Sequence, residues 1–224
     1  MRYYPVNLDI VDRPCLVVGG GSVGTRKVKT LLDCGAKVTV VSLRANDLLE
    51  KLSKEEKITL KRRDYIKTDL KGMFLVIGAT DDEALNYDIS RDAENFGILC
   101  NIADRPAVCN FILPAIVCQG DLIIAVSTSG KSPAFAKKIR KELQQQYGPA
   151  YAKALDLLGV IRGKLLATSH APEEHKPLFE ALIGGGLVGL LEAGDGFGID
   201  TLFKKVLGDG YRFDELMASL RQKP

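Results

Sequence analysis

Apolar and polar positions follow two rhythms over the first hundred residues. Short β-branched runs recur at 15–18, 38–41, 74–77 and 98–101, and between them lie helix-patterned stretches such as 25–34 and 83–96. Strands that alternate with helices predict βαβ units and a parallel sheet. The runs are nearly continuous in apolar residues, as strands covered on both faces must be.

After Pro106 the rhythm changes. FILPAIV and LIIAVS read as two strands, and the CQGD between them is a glycine-containing link short enough for a hairpin. Ser132 followed by Pro133 marks a helix start. That helix runs through KKIRKELQQQYG and stops near Gly148 and Pro149. From Tyr151 the pattern is helical again, with Leu155, Leu157, Leu158 and Ile161 spaced for one face. Glycines at 184–186, 194, 196 and 198 divide the remainder into short helices.

Composition narrows the class. Of 224 residues, 46% are hydrophobic and 26% charged, ordinary values for a globular chain. The net charge of +3 is too small to argue for nucleic acid as a partner. The start, MRYYPVNLDIVDR, lacks the apolar stretch of a signal peptide, and no run approaches the ~20 apolar residues that span a bilayer. Five cysteines show no CxxC pair, and an odd count argues against a disulfide framework, so a cytoplasmic setting is expected.

Chemistry enters at CLVVGGGSVGTRKVKTLLDCGAKVTVVS. Gly19-x-Gly21-x-x-Gly24 follows a strand and opens a helix, the arrangement of a dinucleotide-binding turn. The first glycine permits the turn, the second lets backbone approach a pyrophosphate, and the third lets helix pack on strand. The amides of Ser22 and Val23 then face the phosphates at a helix N-terminus. Strand two ends Val41-Ser42-Leu43-Arg44, without the acid that usually holds the ribose hydroxyls. Leu43 and Arg44 are cofactor-binding candidates, and Arg44 leaves NAD against NADP open on spacing alone.

Three further segments carry candidates. In GATDDEALN, Thr80 and Glu83 fit a capping box, and Thr80 and Asp81 would border the nicotinamide at the carboxyl edge of the sheet. In CNIADRPAVCNFILP, Asp104 follows a strand end, where an Asp most often caps a turn; the same carboxyl edge is also where a catalytic acid or base would be placed. In AVSTSGKSPAFAKK, the polar loop with Ser127, Thr128, Ser129 and Lys131 reads as a helix cap or as an anion site. Since the glycine turn already supplies a phosphate site, this loop is assigned to substrate. His170 and His175, in SHAPEEHKP, have poor spacing for a shared metal face and are expected in an exposed loop, so no metal site is expected.

These segments, taken in order, resemble the precorrin-2 dehydrogenase and sirohydrochlorin ferrochelatase family, including the N-terminal half of the sirohaem synthases. The resemblance covers roughly residues 4–145, and its most specific pieces are the Arg26-Lys27 pair and the STSGKSP loop. It implies NAD as oxidant, precorrin-2 as tetrapyrrole substrate, and sirohydrochlorin as product in sirohaem biosynthesis. It implies Asp104 as the general acid/base, and a homodimer formed through the segment after the first domain. It leaves open whether Fe²⁺ is also a substrate, for a chelatase activity. The expected architecture is α/β: an N-terminal Rossmann domain with a parallel sheet (1–113), a small α+β dimerisation and substrate segment (114–148), and a helical C-terminal region (149–224). Within the hairpin, Ile116 and Ile124 are expected at the dimer interface. The competing reading is an NAD-sensing regulatory Rossmann module. Such modules need an acid at the end of strand two, where this chain has Ser42.

Overall fold

The computed structural model describes residues 2–167 and 172–220. The chain divides into two units, Met1–Leu113 and Pro114–Pro224.

In the first unit, five strands form one parallel sheet: β1 (Pro14–Gly20), β2 (Lys37–Ala45), β3 (Ile58–Lys61), β4 (Leu75–Gly78) and β5 (Leu99–Ile102). Their order is β3-β2-β1-β4-β5. The order reverses at β1, so the crevice beyond the carboxyl ends of β1 and β4 is the place where such sheets bind ligands. Successive residues of β1 point to opposite faces, and both faces are covered. Cys15 and Val17 join Val28 and Leu31 of α1 (Ser22–Asp33) and Leu49 of α2 (Asp47–Lys54). Leu16 and Val18 join Ile89 and Ala93 of α3 (Glu83–Phe96) on the other side. Burying each such aliphatic side chain contributes about 1.5–3 kcal/mol. That two-sided demand explains why the strands lack polar alternation.

The predicted strands and helices of this unit are present, together with β3 and α2, which the apolar pattern did not single out. β3 is an edge strand reading ITLK, only four residues long. α2 is started by Asn46, whose side chain accepts from the Leu49 N–H at 3.1 Å. The expected capping box at Thr80 and Glu83 is not formed. Asp82 caps α3 instead, accepting from the Leu85 N–H at 3.0 Å. Glu83, one residue later, is drawn to Arg105.

In the second unit, β6 (Ala115–Gln119) and β7 (Leu122–Val126) form an antiparallel hairpin, so FILPAIV becomes strand only from Ala115. Gly120 and Asp121 make a two-residue loop, with Gly120 at φ +58°, the kind of position at which hairpins select glycine. α4 (Pro133–Gln146) and α5 (Pro149–Ala167) pack on the hairpin. Ser132 caps α4 as expected, accepting from the Phe135 N–H at 3.2 Å. α5 buries Ala150, Ala154, Leu157, Ile161 and Leu165 in a second core with α6 (Pro172–Gly184), α7 (Leu187–Ala193), α8 (Gly196–Leu207) and α9 (Phe213–Leu220). Leu155 falls off that face and is exposed, because the buried positions follow a four-and-three spacing that passes through two alanines. Among the described residues no helix is long and apolar enough to cross a membrane.

Candidate cofactor cleft and catalytic edge

The glycine turn is built by close approach. Gly19 has φ +115°, and a Cβ there would lie 2.2 Å from the Ala79 carbonyl oxygen. A Cβ on Gly24 would lie 2.1 Å from the Gly19 carbonyl oxygen, so only glycine lets α1 settle onto the end of β1. Gly21 differs: a Cβ there meets nothing within 4 Å. It is the N-cap of α1 and supplies no side-chain cap. The first amides of α1 are therefore presented to whatever occupies the space above Gly21, with the positive end of the helix dipole behind them. These features fit the pyrophosphate of a dinucleotide.

The turn is tied to the end of β2 at two points. Ser42 Oγ accepts the Gly20 N–H at 2.9 Å and donates to the Arg44 carbonyl at 2.7 Å. Thr25 Oγ1 donates to the Gly21 carbonyl at 2.8 Å and accepts from Asn46 Nδ2 at 2.7 Å. Gly20 is a constrained residue that the motif spacing does not mark. Its Cβ would lie 2.1 Å from the Arg44 carbonyl oxygen, because β2 runs past the sheet and pairs Ala45 with Gly20 across a bulge.

A cleft of about 790 Å³ opens here, a size suited to a small-molecule cofactor. Gly19, Gly21, Ser22, Val23, Leu43, Arg44, Thr80 and Asp81 all line it. Gly24 does not line it and acts from beneath by packing. Sequence reasoning missed the wall formed by Arg63, Asp64 and Tyr65. The one signal for it was the polar RRDY run after β3. Arg63 makes a two-pronged contact to the buried Asp69, at 2.7 and 2.5 Å, and Lys61 reaches the same carboxylate at 3.2 Å. Burial pushes the Asp69 carboxyl up, but hydrogen bonds from Arg63, the Ile66 N–H and Lys61 outweigh it and hold the group at about 2. Tyr65 is raised by burial and by the neighbouring Asp92, to which its hydroxyl donates at 3.2 Å.

Asp104 lies at the same carboxyl edge, in the turn after β5. Its backbone has φ +59°, a left-handed conformation that Asp tolerates better than most residues. The turn is pinned on several sides. Cys109 Sγ accepts the Ile102 N–H at 3.1 Å and donates to the Arg105 carbonyl at 3.1 Å. Ser90 Oγ donates to the Val108 carbonyl at 2.6 Å. Arg105 is held by Glu83. The Asp104 side chain is exposed.

In the second unit the Ser127–Ser132 loop is shaped by its own hydroxyls. Ser127 Oγ accepts the Ser129 N–H at 3.1 Å, and Thr128 Oγ1 accepts the Ser132 N–H at 3.2 Å. Ser129 has φ +53°. Ser129 and Lys131 are exposed. Ser132 caps α4, and the loop presents its polar side chains outward. His170 lies outside the described residues. His175 is 5% exposed within α6, which corrects the expectation of an exposed loop histidine. It is carried inward by a helix that the PEEHKP composition does not advertise. Among the described residues no group of three His, Cys, Asp or Glu side chains is placed to hold a metal ion.

Residues 6–115 match a family model described as NAD(P)-binding, and residues 119–146 match one described as sirohaem biosynthesis protein central. The chain is 34% identical over 194 residues to siroheme synthase 1 of Serratia proteamaculans, covering 87% of this chain and 41% of that protein. It is 36% identical over 198 residues to siroheme synthase of Nitrosospira multiformis, with 87% and 42% covered. The solved structure of SirC, precorrin-2 dehydrogenase, superposes with a TM-score of 0.71 at 25% identity, covering 99% of this chain and 100% of that one. This chain belongs to the precorrin-2 dehydrogenase and sirohaem synthase family. The first family model ends two residues past the division between the units. The second runs from the last residue of β6 through β7 to the end of α4. The chain spans about two-fifths of the curated sirohaem synthases it matches (41% and 42%), whereas it matches SirC over its whole length (100%).

Proposed function

We propose that the protein oxidises precorrin-2 to sirohydrochlorin with NAD⁺. The observation that carries this reading is the fitted dinucleotide cleft with Asp104 standing in a pinned turn at the same edge of one sheet. The full-length likeness to a precorrin-2 dehydrogenase supports the choice of substrate. The bound nicotinamide supplies the two-electron acceptor. One carbon-bound hydrogen of the macrocycle leaves as hydride and a second hydrogen leaves as a proton, so one C–H bond and one proton are lost per NADH formed. Asp104 takes that proton and passes it to water. Serine and lysine groups of the Ser127–Ser132 loop bind carboxylates of the macrocycle, and the chain acts as a homodimer in the cytoplasm.

NAD is favoured over NADP by the charges in the cleft. Among the described residues lining the cleft, Arg63 is already engaged by Asp69, and Arg44 is the other cation. Asp64, Asp81 and Asp82 line the same space and disfavour a further phosphate. Side-by-side titrations with NADH and NADPH check this preference.

The test is an assay with precorrin-2 and NAD⁺ that follows NADH and macrocycle absorbance together. Equal rates of both changes support the reading. NADH binding without macrocycle oxidation would instead favour a nicotinamide-sensing module.

A further inference from the structure

Three consecutive cations, Lys61, Arg62 and Arg63, stand at the end of β3, and each is matched by a carboxylate. Arg62 is held by Glu50 of α2. Lys61 and Arg63 share Asp69. The strand order puts β3 and β4 on opposite sides of the glycine turn. Thr80 and Asp81, after β4, border the nicotinamide side, and the end of β2 is where such folds read the adenosine ribose. β3 runs parallel to β2 with Lys61 opposite Val41. Arg63 therefore leaves the sheet beside Leu43 and Arg44, and all three line the cleft. The 2′-phosphate of an NADP molecule would fall at the end of the cleft that Arg44 and Arg63 line.

Asp69 takes Arg63 out of that role. Its side chain is 2% exposed, and it does not itself line the cleft. Arg63 Nη1 and Nη2 donate to its two oxygens at 2.7 and 2.5 Å. Lys61 Nζ donates at 3.2 Å and the Ile66 N–H at 3.1 Å. Arg63 Nη1 also donates to the Asp64 carbonyl at 2.8 Å. The guanidinium keeps N–H groups that can meet a ribose hydroxyl, but its charge is matched at contact distance. Arginine holds a phosphate through a two-pronged, charge-assisted contact. Here the carboxylate already occupies that contact and repels a second anion.

We propose that Asp69, from outside the cleft, sets its preference for NAD over NADP by holding Arg63 away from a 2′-phosphate. The proposal deepens the reading of the cleft as an NAD site and rests on it. Asp69 is a positioning residue: it acts through Arg63 and touches no part of the coenzyme.

Fluorescence titrations with NADH and NADPH test this on wild type, Asp69→Asn and the double variant Asp69→Asn/Arg63→Met, with thermal melting alongside. Asparagine keeps the shape of the side chain and removes its charge. In Asp69→Asn the affinity for NADPH relative to NADH rises about tenfold, the worth of one charge-assisted hydrogen bond. In the double variant that gain is lost. A merely structural role would weaken both coenzymes together and leave their ratio alone. An unmoved ratio in a folded Asp69→Asn protein overturns the proposal, and so does a gain that survives the removal of Arg63. Where asparagine prevents folding, Asp69→Ser gives the same decision. Wild type alone tests the premise, since equal affinity for the two coenzymes removes the NAD preference itself. NAD preference in wild type with an unmoved ratio in Asp69→Asn removes only the role of Asp69.

Discussion

Ser42 and Gly20 are joined by a 2.9 Å hydrogen bond from the glycine N–H to the serine hydroxyl, across the gap between β2 and the nucleotide turn. The hydroxyl stands where an acid reads the ribose in many dinucleotide folds. Here it is consumed by the turn itself, since its own proton goes to the Arg44 carbonyl. Ser42→Ala is therefore expected to weaken NADH binding about fivefold, the worth of one neutral hydrogen bond. Ser42→Asp is expected to weaken it more, because a carboxylate cannot donate to the Arg44 carbonyl. Fluorescence titration with NADH measures both. Tighter binding by Ser42→Asp would show that the position reads ribose after all.

Asp104 has a backbone role and a proposed chemical one, and two substitutions tell them apart. Asn also tolerates the left-handed region, so Asp104→Asn keeps the turn and removes only the base. Turnover in both Asp104→Asn and Asp104→Ala is expected to fall about 10²–10⁴-fold, with NADH affinity unchanged. Loss confined to the Ala variant would assign Asp104 to the turn alone.

The β6–β7 hairpin offers one uncovered apolar face. Ile116 is 45% and Ile123 53% exposed, whereas Val117 and its cross-strand partner Ile124 point to the other face. Ile116 and Ile124 therefore do not share a face, because successive strand residues alternate in direction. A bare hairpin face needs a partner surface, and a second copy supplies a self-complementary one. Ile116→Asp and Ile123→Asp are expected to yield monomers by sedimentation. Ile124→Asp is expected to lower the melting temperature instead. Dimers that persist in both surface variants would place the interface elsewhere.

Asp69 links stability to acid. Its folded-state carboxyl sits at about 2, below its ordinary 3.8, so it contributes stability above that ordinary value and loses it as pH falls from about 4 toward 2. The contribution is on the order of 1–2 kcal/mol, since Arg63 and Lys61 are partly solvated. Melting curves taken between about pH 6 and pH 3 should show a drop in wild type that is smaller in Asp69→Asn. Equal drops would mean that other carboxylates dominate acid unfolding.

Patterning by itself determined the elements that bury apolar residues on both sides. β1, β2, β4 and β5 are read from short, nearly continuous apolar runs, α3 from its period and α4 from its cap, because such signals are local. The glycine turn was legible for the same reason: Gly19 and Gly24 answer steric demands of neighbouring backbone, and Gly21 leaves the space above the helix start open. Short polar elements escaped. β3 is an edge strand, and its Lys and Thr carry no burial signal. Tertiary structure alone decided which polar groups meet. Asn46 reaches Thr25 across 21 positions, and Asp92 meets Tyr65 across 27. Arg63 is spent on Asp69, and Asp82 rather than Thr80 caps α3. A hydrogen bond or charge contact depends on the order of strands in the sheet and on the phase of each helix. Neither is encoded at the positions that make the contact.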